Sequence, residues 1–495
     1  MNNLSALLAA VFFFALAWTT THSHHSPVRS IAQEVKVRYQ QNRPVRKVNA
    51  ALRSADTGYW HTSGNLILNQ QGNAVRIQGI NWYGFETVRK VPGGLTVQDY
   101  RKVLETIHSE GFNTVRIPFS NDMIEHPIVP EAISFSDNRG EAINQPLRGL
   151  TSLQILDRVI EHAGTIGLKV ILDNHRSEAG DSAQGSGLWY TAEYPESAWI
   201  ADWQMLAHRY AANSTVIGFD LRNEPHNAAT GGSCWSGCGA GRDWHLAAQR
   251  AGNAVLSINP RLIVFVEGTD AVNGDFYWWG GNLEGVRSAP VRLAVSDQLV
   301  YSAHEYGPKE YQQKWFNGAS SASLESVFER HWGFVSRQEI APVWVGEFGT
   351  SNRSQDITET TSGSEGQWFQ ALTTFFGRNR EINWTAWALN GEDSDGLLSA
   401  DYAAPANSLK MAALNRIMTG PANRQMVPMP QVAVLNTPAI YPQSLRPAEP
   451  SASAPAAGDR AYRPHLSASV LRGQLDTENN EQPIHPQVSR EADGY

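Results

Sequence analysis

Cysteine is nearly absent from this chain of 495 residues; only Cys234 and Cys238 occur. That scarcity excludes a scaffold built from disulfides. It also excludes a cysteine-rich zinc site, because no histidine cluster stands beside the pair. The two thiols are close enough for a short-range disulfide in an oxidising compartment, and two free thiols in a loop are the alternative. A positive field is missing too. Forty basic residues face 48 acidic ones, for a net charge of −8, so nothing recruits nucleic acid globally. No glycine-rich phosphate loop follows any apolar run, which weighs against a doubly wound nucleotide-binding sheet. The apolar run at residues 4–18 falls short of the ~20 residues a spanning helix needs. Stable membrane insertion is therefore not expected. Residues 421–495 contain no tryptophan and no phenylalanine. Such a Pro-, Ala- and Ser-rich tail cannot bury enough surface to fold alone.

What is present is tryptophan and alternation. Fifteen of the 16 tryptophans lie between Trp60 and Trp387. They suit sugar stacking, but they also fill cores. Residues 4–18 have the length of a secretory apolar region, and Ala15-Leu16-Ala17 offers a small-x-small cleavage site. Export is expected, with an N-terminal anchor or a periplasmic location as the alternative. The expected order is a leader at 1–18, a basic linker at 19–56, one folded domain at 57–420 and a disordered tail at 421–495. His22, His24 and His25 read as part of a polar spacer.

Within the folded domain, strand-like and helix-like runs alternate. Strands are expected at Val75–Ile80, Thr114–Ile117, Lys169–Asp173, Val216–Leu221, Leu262–Glu267, Leu299–His304, Val343–Gly346 and Trp384–Leu389. Helical stripes separate them, such as Val97, Tyr100, Leu104, Ile107 and Leu153, Leu156, Ile160, Ala163. Trp60 and Leu66-Ile67-Leu68 flank a turn and are expected to close the bottom of the domain. Eight β/α units predict a parallel (β/α)8 TIM barrel. In that architecture chemistry collects where the strands end.

Two of those ends carry glutamate. Val216-Ile217-Gly218-Phe219-Asp220-Leu221-Arg222-Asn223-Glu224-Pro225 is apolar on both faces and stops at a proline. Pro342-Val343-Trp344-Val345-Gly346-Glu347-Phe348-Gly349 repeats the pattern. A pair of carboxylates so placed is what glycosidic cleavage requires, one to protonate the leaving oxygen and one to attack or activate water. Two solvated loop acids are the bland reading of either one alone. Other strand ends supply Arg116, His175, Asn223, His304, Tyr306 and Trp387. A structural pair of Asp173 with Arg176 is one of the bland alternatives to a role at the mouth.

The stretches Leu-Arg-Asn-Glu-Pro-His, Val-Gly-Glu-Phe-Gly, Gly-Ile-Asn-Trp-Tyr-Gly-Phe-Glu-Thr and Tyr-Trp-Trp-Gly-Gly resemble glycoside hydrolase family 5, in its bacterial endoglucanase branch. The resemblance runs from about Trp60 to Ile417. It implies a retaining endo-β-1,4-glucanase that needs no cofactor or metal and acts as a monomer on a β-glucan. It further implies Glu224 as acid and base, Glu347 as nucleophile, and Asn223 on the sugar 2-hydroxyl. Arg116 and Tyr306 would support the nucleophile, His175 and His304 would contact substrate or orient the acids, and Trp387 would be the sugar platform. Trp82, Trp278 or Trp279, and Tyr311 are candidates for outer subsites. Cys234 and Cys238 match a loop pair in the branch, whereas Val88 and Ala179 stand where a second pair is expected. The segment Asn390-Gly391-Glu392-Asp393-Ser394-Asp395 and a missing tryptophan near Thr96 leave the preferred glucan open. A mannanase, a mixed-linkage glucanase and a silent polysaccharide-binding protein remain as alternatives.

Overall fold

The computed structural model describes residues 58–228 and 231–418. The expected leader, basic linker and tail lie outside the described residues. A short antiparallel sheet comes first: β1 (His61–Ser63), β2 (Leu66–Leu68) and β3 (Ala74–Val75). Ser63 pairs with Leu66 across a two-residue loop in which Gly64 takes φ 57°. Then come β4 (Gln78–Asn81), β5 (Thr114–Ser120), β6 (Lys169–Arg176), β7 (Val216–Asp220) and β8 (Ile263–Glu267). A small hairpin, β9 (Ala271–Val272) with β10 (Asp275–Phe276), interrupts the series. It continues with β11 (Leu299–His304), β12 (Val343–Glu347) and β13 (Asn383–Ala386). These eight longer strands pair in parallel, and β13 returns to β4, so the sheet closes. All eight expected strands are present. The first starts three residues later and ends one later than expected, and the last starts one earlier and ends three earlier.

Closure by the pairing of β13 with β4 goes with burial on both faces. Every residue of β5, β7, β8 and β12 is buried. Such strands need cover on both faces, which here comes from the barrel interior on one side and the helices on the other. Strand spacing leaves no room at Gly218, where a Cβ would sit 2.4 Å from the Ile263 carbonyl oxygen. Helices such as Tyr100–Ser109, Ser152–Thr165, Glu196–Arg209 and Trp244–Ile258 form the outer layer. Tyr100, Leu104 and Ile107, and Leu153, Leu156, Ile160 and Ala163, are buried on their helices as expected, whereas Val97 precedes its helix and is exposed. The next helical stretch is broken into Ser321–Phe328, a π-helical turn at Glu329–Gly333, and Phe334–Arg337.

The barrel interior below the strand ends is apolar. Ile171, Ile217, Ile263, Phe265, Val300 and Trp344 pack there against Trp60 and Ile67 of the N-terminal hairpin. The hairpin thus plugs the bottom, as the sequence predicts. Among the described residues no helix is long and apolar enough to cross a membrane. Cys234 and Cys238 are joined as a disulfide, and no free cysteine remains.

Two buried charges organise the layers. Arg76 donates to three backbone carbonyls: Ile382 (2.7 Å), Ile417 (2.8 Å) and Phe376 (2.9 Å). Two of these lie in the last turns of the helices Glu365–Arg378 and Ser408–Ile417, where carbonyls lack helical partners. Burial draws the Arg76 guanidinium down to about 9. Glu305, just after β11, accepts from Trp368 Nε1 (2.8 Å), Trp332 Nε1 (3.3 Å) and the Tyr277 hydroxyl. It ties the barrel to the helical layer, and burial pushes its carboxyl up to about 7. Burial does the same to Glu365 and Glu86, each to about 7.

Replacing Arg76 by Met should strand the three carbonyls and cost roughly 2–4 kcal/mol. A lower urea midpoint with intact secondary structure checks it. The raised carboxyls set a pH dependence. Folded, they bind protons that the unfolded chain releases near pH 4.5, so their stabilisation is complete at low pH and fades as pH rises through about 7. Thermal unfolding should therefore occur at a lower temperature at pH 8 than at pH 5.5, and Glu305→Gln should flatten part of that slope.

Candidate active site

The mouth of the barrel is built around Arg116. It sits on β5, opposite Asn81 of β4 in register, and is wholly buried. A buried guanidinium requires partners for its fork of donors. Its Nη1 donates to Glu347 Oε1 (2.5 Å) and Asn81 Oδ1 (3.1 Å). Its Nη2 meets Asp220 Oδ2 (2.9 Å), Asp173 Oδ2 (3.1 Å), Asn223 Oδ1 (3.1 Å) and Glu267 Oε1 (3.3 Å). Its Nε donates to Asp220 Oδ2 (3.0 Å). Burial opposes the charge, but Asp173, Asp220, Glu347 and Glu267 outweigh it and hold the proton firmly.

Glu347 is the last residue of β12. Arg116 grips one of its oxygens, and the Tyr306 hydroxyl donates to the other at 2.8 Å. Both bonds favour the ionised carboxylate. Glu224 lies beyond the end of β7, in the left-handed region at φ 51°. That turn aims its own N–H at Glu267 Oε2 (2.7 Å). Glu224 Oε1 stands 3.0 Å from His304 Nδ1. His304 Nε2 faces Glu267 Oε1 at 3.2 Å, and its Nδ1 is 3.7 Å from Glu347 Oε2. Burial disfavours the imidazolium, yet Glu267, Glu347 and Glu224 raise His304 well above the usual imidazole range. Burial and the neighbouring Glu267 push Asp220 up, and burial pushes Glu267 up.

One oxygen from each of Glu224 and Glu347 and a ring nitrogen of His304 lie within 4.8 Å of one another. Three such atoms could hold a cation. The positive charge here already comes from Arg116, and His304 has a carboxylate at each ring nitrogen, so the site's own side chains meet that need.

His175 closes one flank. Its Nδ1 donates to Asp173 Oδ2 at 2.7 Å, which leaves Nε2 3.5 Å from the Asn223 amide. The ring stacks on Trp387 (centroids 5.7 Å apart, 15°), and Trp387 stacks on Tyr83 (5.3 Å, 8°). Glu224, Glu347, Arg116, His175, Asn223, His304, Tyr306 and Trp387 thus all converge on one mouth, as expected from the strand ends.

Other expectations are corrected. Trp82 is fully buried and donates from Nε1 to the Gly93 carbonyl (3.1 Å), so it is core. Side chains alternate along a strand and its extension, so when Asn81 points inward Trp82 points outward. Tyr83, on the inward parity and half-buried, is the aromatic of the cleft. Trp278 is likewise buried against Tyr306 and Trp315. Its neighbour Trp279 is half-buried and stacked face to face on His226 at 3.7 Å. Tyr311 is half-buried against the core. Asp173 does not pair with Arg176, which instead bonds the carbonyls of Glu178 and Ser182. Asp220 and Glu267 received no role from the sequence, although each ends a strand whose other residues are apolar or glycine, and that interruption was the available signal.

Comparison with known proteins agrees with this geometry. A family model described as cellulase (glycosyl hydrolase family 5) matches residues 68–393. An endoglucanase of Paenibacillus polymyxa is 43% identical over 367 residues, covering 73% of this chain and 87% of that protein. The major extracellular endoglucanase of Xanthomonas campestris pv. campestris is 34% identical over 356 residues, covering 70% of this chain and 68% of that one. A solved endocellulase from Pyrococcus horikoshii, in complex with cellotetraose, superposes with a TM-score of 0.65 at 31% identity, over 74% of this chain and 100% of the other. With the matched model spanning the barrel and its mouth, the chain belongs to glycoside hydrolase family 5.

Proposed function

We propose that this glycoside hydrolase is an exported endo-β-1,4-glucanase that cleaves internal bonds by double displacement, with Glu347 as nucleophile and Glu224 as acid and base. The observation that carries the reading is the closeness of the two carboxylates, whose nearer oxygens lie within 4.8 Å. Retention calls for carboxyl groups ~5 Å apart, whereas inversion leaves room for a water between more distant ones. The names of the relatives support a β-glucan as substrate. Export rests on the apolar run at residues 4–18 and is consistent with the Cys234–Cys238 bond.

The roles divide by environment. Glu347, held by Arg116 and Tyr306, presents an ionised oxygen to the anomeric carbon. Glu224 shares a proton with His304, in a field made negative by Glu347 and Glu267. That field keeps the proton on the pair until the leaving oxygen takes it. Once Glu347 is esterified its charge is gone, the pair's proton affinity falls, and Glu224 can take a proton from water. Asn223, fixed by Arg116, is placed for the sugar 2-hydroxyl, and the Trp387–Tyr83 pair offers a flat face for a ring.

Reducing-sugar release from soluble β-1,4-glucan, with β-mannan in parallel, is the deciding assay. Glu347→Gln should lower kcat by several orders of magnitude. Proton NMR of early product should show the β-anomer first, and an α-anomer first sinks double displacement. Cleavage of mannan alone overturns the substrate, and a folded wild type inactive on both polymers returns the weight to a binding protein. The exported protein, sequenced from its N-terminus, should begin near Trp18; retention of Met1 refutes cleavage of the leader.

A further inference from the structure

A second cluster of metal-type donors lies away from the catalytic glutamates. Asp275 sits on β10, Glu284 opens the 3-10 turn Glu284–Arg287, and His331 lies in the π-helical turn Glu329–Gly333. One donor atom from each lies within 4.8 Å of the others. Such spacing alone is common among acidic groups, so the histidine decides the case.

His331 is 4% exposed. Its Nδ1 lies 2.9 Å from the Val327 carbonyl oxygen, an acceptor, so Nδ1 carries the proton. In the neutral ring that leaves a lone pair on Nε2. This buried atom has no hydrogen-bond partner, and Asp275 Oδ2 stands 3.3 Å from it. A lone pair facing a carboxylate oxygen is repulsive unless a proton or a metal cation lies between them, and the same oxygen is already paired with Arg330. A histidine that donates through one nitrogen to a backbone carbonyl and turns the other toward carboxylates has the arrangement of a metal ligand with its supporting shell.

The donors are also held in place before any ion arrives. The Asn282 side chain donates to the Asp275 carbonyl (2.9 Å) and accepts from the Glu284 N–H (3.0 Å). The Leu283 N–H donates to the His331 carbonyl (2.9 Å). The Tyr277 ring lies flat on the imidazole (4.0 Å, 10°). π-Helical turns recur at functional positions because they re-aim one side chain. Arg330 is the present cation: it pairs with Asp275 and reaches Glu284 through Nε at 3.2 Å. Its side chain is 58% exposed, so it can swing into solvent at small cost.

We propose that Asp275, Glu284 and His331 bind one divalent first-row cation of the zinc or manganese type, in competition with Arg330, and so clamp the β9–β10 loop to the π-turn. One imidazole with two carboxylates suits such ions better than calcium, which prefers an all-oxygen shell. The loop that the ion would clamp leads directly into Tyr277, Trp278 and Trp279, so its benefit falls on the packing of that loop rather than on the reacting carboxylates.

The test uses the full chain, stripped with a chelator and titrated calorimetrically with Zn²⁺, Mn²⁺ and Ca²⁺. One saturable Zn²⁺ or Mn²⁺ site is expected, weakened at least tenfold by Glu284→Gln and Asp275→Asn and tightened several-fold by Arg330→Ala. Saturating Zn²⁺ should raise the unfolding temperature of the wild type by roughly 5 °C and leave Glu284→Gln unmoved. A chain with His22, His24 and His25 replaced by alanine should keep the site. Binding that is unchanged by Glu284→Gln, absent from both wild type and Arg330→Ala, or confined to Ca²⁺ overturns the proposal. Circular dichroism confirms that each variant is folded, and since the readout is binding, the outcome is independent of which polymer the enzyme cleaves.

Discussion

A single buried cation holds the mouth of this barrel together. Arg116 draws acidic groups from β6, β7, β8 and β12 toward one point, and its partners cannot be removed one at a time. Deleting a carboxylate would leave buried charge unbalanced, and deleting the arginine would leave four acids facing one another without water. The cluster therefore fixes where the ends of those strands stand relative to one another. Glu347 inherits its position from that network. A loop glutamate would have to be frozen by its own neighbours, whereas this one is frozen by the closure of the sheet.

The fold was legible because burial on both faces leaves a strong trace in sequence. Runs such as Val216–Phe219 and Val343–Val345 have no polar face to present, and only a closed or doubly covered parallel sheet accepts eight of them. The catalytic pair was legible for the converse reason: an acid that ends such a run interrupts an otherwise unbroken pattern. The same rule applied to Asp220 and Glu267, yet they were passed over. Both touch Arg116 across the barrel, and neither stands in a motif as distinct as Asn-Glu-Pro or Gly-Glu-Phe-Gly. Their role depends on which side chains meet across the barrel, and that is a property of register, which a linear reading does not contain.

The aromatic positions fail in a different way. Trp82, an expected cleft residue, is buried while its neighbour Tyr83 stacks on Trp387. Of the two candidates Trp278 and Trp279, the first is buried and the second lies half-buried on His226. For Trp82 the inward anchor is Asn81, whose amide reaches the Gly346 and Ala386 carbonyls across the barrel mouth. That contact fixes the alternation and sends the indole outward into the core, where Nε1 finds the Gly93 carbonyl. The alternative pairing of Asp173 with Arg176 does not form either. Three residues apart on an extended strand, the two point to opposite faces, and Asp173 takes the inward side with Arg116 and His175.

His304 deserves to be read with both of its neighbours. Were it only a partner of Glu224, its positive charge would hold that glutamate ionised and unfit to donate a proton. Glu267 on its other nitrogen changes the balance, because it competes for the same imidazolium and adds negative charge beside Glu224. On the proposed mechanism the arrangement is a proton store shared among His304, Glu224 and Glu267, with Glu347 3.7 Å away as the charge that sets its level. On the proposed double displacement, that level drops when Glu347 forms its ester and recovers when the ester is hydrolysed. The acid and base halves of the cycle then need no movement of the protein, only the loss and return of one charge in a site whose low polarizability lets that charge be felt.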